Sequence, residues 1–260
     1  MTAGLAAGVT GAEVRAALGT VVDPELDEPI TDLGFVRSVE VRDGAVEVHL
    51  RLPTSFCAPN FAWLMVSDAR DAVRALPGAG RVVVELDDHH DSDLINAGLA
   101  ADAGYRGTFG HEAEDSLDEL RATFQRKAHT AAMERALTAW LRAHPDRPET
   151  AVGDLRLGDL PDDAATAALV GRRAVLGLPV DPAAPVLLAP DGSRPAAGAV
   201  ALTLRRARSV RISVDGNAHF CRGLLATRYP GAEGDQTPRA DDPVPGPGPA
   251  HPLLPLEVLS

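Results

Sequence analysis

The chain is poor in cysteine, in lysine and in positive charge, and it has no long apolar run. Two cysteines among 260 residues cannot build a disulfide framework, and such usage suits a reducing cytoplasm. No stretch approaches the roughly 18 consecutive apolar residues of a membrane helix, so no membrane partner is expected. The first eleven residues carry no basic segment ahead of a small apolar stretch, so no secretory leader is expected. A formal net charge of −12 argues against nucleic acid as a partner, because that affinity comes from neutralising phosphates. Nucleotide and hydrolase signatures are missing as well: there is no G-x-G-x-x-G, no G-x-x-x-x-G-K-S/T, no G-x-S-x-G and no C-x-x-C. Nor is there the Glu-x-x-His pair of carboxylate-bridged di-iron bundles, so the chain is not expected to be an iron oxygenase, or an enzyme at all.

What is present allows a real core. The length fits one large domain or two small ones, and 45% of residues are hydrophobic. Lys127 is the one lysine among 25 basic residues, a bias that, with the many alanines, reads as GC-rich coding. Between Glu85 and Glu119 eleven acids stand against Arg106 alone, whereas between Arg205 and Arg228 six arginines face only Asp215. These segments read either as two solvated faces that pair within the chain or as a cation-attracting segment and a surface for an acidic partner.

Local signals give an α+β chain: a small α/β unit (helix, β-hairpin, helix, strand), then a long helix and a mostly helical C-terminal domain. Thr10 and Glu13 form a capping box before a helix over 11–18. A strand over 36–41, the Asp43-Gly44 turn and the alternating run 45–52 read as a hairpin. Asn60 is the expected cap of a helix over 60–76, and 81–86 is a buried strand. The four glycines between Ser92 and Gly110 suggest an irregular loop. Ser116 opens a helix to about 143, residues 145–160 read as a linker, and a helix over 162–176 follows. Beyond it, a helix over 196–208, a strand over 210–214, a turn at Asp215-Gly216 and a helix over 217–227 are expected. The resulting division is 1–108, 109–146, 150–230 and a disordered Pro/Gly-rich tail over 231–260.

The strand–helix–strand unit implies two parallel strands joined by a right-handed crossover, with ligands at their carboxyl edge. That edge carries Cys57 and the run Asp87-Asp88-His89-His90-Asp91. Cys57 stands just before a helix start, where unpaired N–H groups favour a thiolate, although cysteine is also among the most buried residue types. His89 and His90 point to opposite sides of an extended segment, so one of them faces Cys57. Asp91 is either an acceptor that orients an imidazole or an oxygen ligand. A Cys/His/Asp set suits iron or zinc in an open site. His111 and Glu112 are further candidate ligands, though acids at a helix start need no function. His129 reads as structural. His219 and Cys221 lie two apart on different helix faces, with Cys221 in the core or, as the lesser alternative, a ligand.

The run Leu18-Gly19-Thr20-Val21-Val22-Asp23-Pro24-Glu25-Leu26, then Ile30-Thr31-Asp32-Leu33-Gly34-Phe35-Val36 and Thr54-Ser55-Phe56-Cys57, resembles the iron–sulfur cluster assembly family. That family includes metal–sulfur cluster biosynthetic proteins, the maturation factor of phenylacetyl-CoA epoxidase and the cytosolic iron–sulfur targeting factor. The resemblance covers roughly residues 8–88 and makes Asp23, Pro24, Glu25, Asp32, Gly34 and Thr54 the motif's structural residues. It carries the family's functional cysteine to Cys57, and implies a transient iron or iron–sulfur cargo and a client metalloenzyme. One departure is Ala58, where the family often has proline. One cysteine cannot hold a cluster within one chain, so a homodimer or a partner's ligands would be needed. The runs 90–107 and 216–222 resemble a longer form found beside bacterial soluble di-iron monooxygenases. Three readings are carried forward: a cytoplasmic maturation factor handing over iron or a cluster, a metal-free chaperone docking on an apo-oxygenase, and, last, a metal-dependent hydrolase.

Overall fold

The computed structural model describes residues 8–110 and 117–232. The first helix, α1 (Gly11–Leu18), opens with the expected capping box, Thr10 accepting from the Glu13 N–H and Glu13 reaching back to the Thr10 N–H. A two-residue antiparallel ribbon, β1 (Val22–Asp23) and β2 (Glu28–Pro29), then folds the Asp-Pro-Glu segment back on itself. The main sheet has the order β3 (Val36–Arg42), β4 (Ala45–Arg51), β5 (Val82–Asp87). β3 and β4 are antiparallel across Asp43-Gly44, whose φ values of 51° and 80° are those of a type I′ turn. β5 runs parallel to β4, and Arg51 stands level with Asp87 at the carboxyl ends.

The crossover helix α2 (Pro59–Arg74) buries Ala62, Trp63, Met65, Val66, Ala69 and Val73. These pack with Val48 and Leu50 of β4, Val84 and Leu86 of β5, and Val14 and Leu18 of α1 in the first core. Asn60 is not its cap. Ala58 holds that position and Pro59 takes the first helical place, where its fixed φ suits the helix and its missing N–H costs nothing.

The segment read as an irregular loop is two helices, α3 (Ser92–Ala100) and α4 (Gly104–Phe109). Its glycines are packing and turning residues rather than signs of looseness. A Cβ on Gly98 would lie 2.0 Å from Thr108 Oγ1 and 2.8 Å from Thr108 Cβ, so the two helices touch only because position 98 is bare. Gly98→Ala is therefore expected to cost about 1–3 kcal/mol through overpacking. A double-mutant cycle with Thr108→Gly checks this in urea denaturation; no coupling between the two positions would refute the steric cause.

A second core forms where α5 (Leu117–Ala143) and α6 (Ala164–Val175) meet the last helix. Residues 145–160 are not a free linker: two 3-10 turns, Glu149–Gly153 and Leu157–Asp159, place Val152, Leu155 and Leu157 in that core. The expected helix, strand, turn and helix after residue 196 are one continuous helix, α7 (Val200–Arg228). The alternation Val210, Ile212, Val214 imitates a strand, but burial follows the three–four spacing Leu204, Ala207, Val214, Ala218, Leu225, and Ile212 is exposed. Leu204 and Ala207 belong to the second core, Ala218 and Leu225 to the first, so α7 ties both together.

Among the described residues, several arginines of α7 meet acids outside the 85–119 segment. Arg208 and Arg211 engage Glu134 of α5 and Arg222 engages Glu28, while Arg228 and the following Tyr229 reach that segment at Asp88. His129 is buried, with its Nε2 unpartnered, and burial followed by the nearby Arg173 pushes its pKa down to about 4. It is a structural residue. Ser116, His111 and Glu112 lie outside the described residues, as does the tail from residue 233. Among the described residues, no helix is long and apolar enough to cross a membrane.

Candidate functional site

Because β4 and β5 are parallel and level, the chain leaves both at one edge, and the segments 52–58 and 88–91 lie side by side. Two contacts lock them, the His90 N–H donating to Ser55 O at 2.9 Å and His89 Nε2 donating to Cys57 O at 2.8 Å, while within the second segment the Asp91 N–H donates to His89 Nδ1 at 3.1 Å. The end of α7 closes the same edge. Arg228 donates to Leu52 O at 3.1 Å, to Ser55 Oγ at 2.9 Å and to Asp88 O, and Tyr229 Oη donates to Asp88 Oδ2 at 3.0 Å.

Cys57 is half-buried, with Thr54 Oγ1 3.5 Å from its sulfur. The helix start offers its thiol less than the sequence suggests. Pro59 has no N–H, and the N–H groups of Phe61 and Ala62 are taken by Ala58 O. Cys57 instead lines a cavity of about 100 Å³, together with Asp23, Glu25, Phe35, Phe61 and Cys221. Asp23 is buried and accepts from the N–H groups of Glu25 and Leu26 at 2.8 and 2.9 Å. Burial nevertheless raises its pKa to about 6, with Glu25 and Glu28 adding to the rise. Burial, then Asp23, Cys57 and Glu25, push the Cys221 thiol up to about 12.

Several candidates therefore gather here and others do not. His89 is buried and its two ring nitrogens are both occupied by backbone groups, so it braces the Cys57 loop. His90 is exposed and sits against the Phe56 ring at 5.9 Å between centroids. Asp91 precedes α3 without a side-chain capping bond. His219 is exposed. Asp32 accepts from Thr31 Oγ1, and Gly34, at a φ of 76°, turns the chain into β3 while its carbonyl accepts from Arg51 Nε. Among the described residues, no three His, Cys, Asp or Glu side chains converge as a complete metal site.

Sequence reading missed that Cys221 lines the same cavity as Cys57, and it missed the Arg228–Tyr229 closure. The usable signal for Cys221 was the spacing Val214, Ala218, Cys221, Leu225, which puts the thiol on the stripe of α7 that packs inward. Splitting α7 at Gly216 concealed it.

A small α/β unit presenting a cysteine at the carboxyl edge of parallel strands, in the lining of a partly acidic cavity, defines a thiol-presenting protein. Residues 11–86 match the family described as iron–sulfur cluster assembly protein. The iron–sulfur cluster carrier protein of Mycobacterium tuberculosis is 42% identical over 81 residues, covering 31% of this chain and 21% of that one. That of Mycobacterium leprae is 35% identical over 75 residues, covering 28% and 19%. An uncharacterized protein of Methanocaldococcus jannaschii is 38% identical over 89 residues, covering 34% of this chain and 92% of that one. The chain belongs to the iron–sulfur cluster assembly family through this N-terminal segment. It spans about a fifth of the length of the mycobacterial carriers it matches.

Proposed function

We propose that this protein is a cytoplasmic iron–sulfur cluster assembly or iron-centre maturation factor that holds iron or a cluster transiently through Cys57 and passes it to a client metalloenzyme, without turning over a substrate. The observation that carries the reading is the position of Cys57: within the matched family segment, at the carboxyl edge of β4 and β5, half-exposed and open to a cavity. An open thiol site suits handover, because a donor must leave coordination positions for the acceptor. A soluble di-iron monooxygenase is the proposed client, on the resemblance of the runs 90–107 and 216–222 to its accessory proteins. Cys57 is the one cysteine of the matched segment, so a cluster would need further ligands from outside that segment, from a second copy of the protein or from the client.

Anaerobic reconstitution with ferrous iron and sulfide tests this, read by absorbance and elemental analysis. The parent is expected to bind iron and Cys57→Ser to lose it. Equal binding by both proteins would sink the role of Cys57. Phe56 and Phe220, 80% and 66% exposed and each directly before a cavity cysteine, favour a second reading as a metal-free chaperone that docks on an apo-enzyme. Absence of iron from parent and variant alike would select it.

A further inference from the structure

We infer that Cys57 and Cys221 form one two-thiolate site for a thiophilic divalent metal such as ferrous iron, so that a single chain supplies both sulfur ligands. This deepens the carrier reading and rests on it. The two cysteines are far apart in sequence, yet both line the cavity of about 100 Å³. Both are free and half-buried, neither sealed in the core nor fully exposed. The placement of Cys221 is held from several sides: Asn217 donates to Glu25 at 3.3 Å, Arg222 pairs with Glu28, and Arg228 grips Leu52 O and Ser55 Oγ of the Cys57 loop.

The cavity's other polar lining is negative. Asp23 and Glu25 stand beside the thiols, and none of the remaining lining residues carries a positive charge. Two carboxyl groups and two thiols thus share one small, partly apolar space. A divalent cation suits such a lining. It replaces the proton of each thiol, forming two metal–sulfur bonds and releasing two protons to solvent, with no change of oxidation state. Among the described residues no set of three His, Cys, Asp or Glu side chains forms a complete site, so further ligands would come from sulfide or from a client's side chains.

The test is anaerobic titration of the full chain with cobalt(II), whose thiolate charge-transfer absorption grows with the number of sulfur ligands, beside Cys57→Ser, Cys221→Ser and the double variant. Sedimentation reports the oligomeric state. One metal per monomer, with each single variant losing part of the band and the double variant all of it, is the expected result. A band lost in Cys57→Ser but intact in Cys221→Ser overturns the inference and leaves the Cys57 carrier standing. One metal per two chains overturns it in favour of a shared site, and no band in the parent overturns both readings. The parent itself guards against a folding defect in the variants: cobalt is expected to slow modification of Cys221 by a small thiosulfonate reagent, followed by mass spectrometry. Modification at an unchanged rate refutes the site.

Discussion

Replacing both Arg208 and Arg211 by methionine is expected to destabilise the protein by about 3–5 kcal/mol, the range for stripping a buried charge of its partners. Glu134 on α5 is fully buried. Its carboxylate is met by Arg208 Nε at 3.3 Å, by Arg211 Nε, and by the Thr138 hydroxyl donating at 2.8 Å. Both arginines reach solvent, with side chains 39% and 26% exposed, so they bring hydration to the edge of the cluster while the carboxylate has none of its own. Removing the arginines leaves that carboxylate to take up a proton or open the contact between α5 and α7. The effect is asymmetric. Glu134→Met leaves Arg208 with Glu149 and Arg211 with Asp215, and adding it to the double variant is expected to recover most of the loss, since an apolar set often replaces a buried ionic one at little cost. Urea denaturation at neutral pH decides it. A double variant within about 1 kcal/mol of the parent would show that Glu134 needs no cationic partner.

Asp23→Asn is expected to stabilise the fold by about 3 kcal/mol above pH 6, with the gain vanishing in acid. The native pKa of Asp23 is raised from 3.8 to about 6, first by burial and then by Glu25 and Glu28, against the lowering effect of two backbone N–H donors. A raised carboxyl pKa means that the native state prefers the protonated form. The contribution to stability is complete below about pH 3.8 and is lost as pH rises through 6. Above that, the ionised group works against folding. Asparagine keeps an oxygen for the Glu25 and Leu26 N–H groups and removes the charge. Thermal melts of parent and variant across this range are the check. A gap that is the same in acid and at neutral pH, or a variant less stable at neutral pH, would overturn the argument. The wild-type carboxylate, held at a cost beside Cys57 and Cys221, fits a cavity that is completed by a cation.

Much of the N-terminal unit was legible because its signals are local. The Thr10–Glu13 box, the Asp43-Gly44 turn and the alternation of β4 each act over a few residues, and each appears as read. The carboxyl edge with Cys57 followed from strand order and handedness alone. Residues 92–110 read as an irregular loop because of their four glycines, whereas Gly98 is bare so that Thr108 can pack on it. The strand expected over 210–214 failed because alternation over five residues is weaker than a three–four stripe held by two cores along 29 residues of α7.

The sequence by itself determined the family segment, the crossover unit and the edge at which Cys57 emerges, since backbone propensity, turn chemistry and chirality are properties of neighbouring residues. Only the tertiary structure decided that Cys221 shares the cavity of Cys57, that His89 braces the loop rather than standing free, and that α7 is the strap joining the halves. Those outcomes depend on which faces bury each other and where distant charges meet, as Arg222 meets Glu28 and Arg172 meets Asp27. Neighbours in sequence do not encode contacts of that kind.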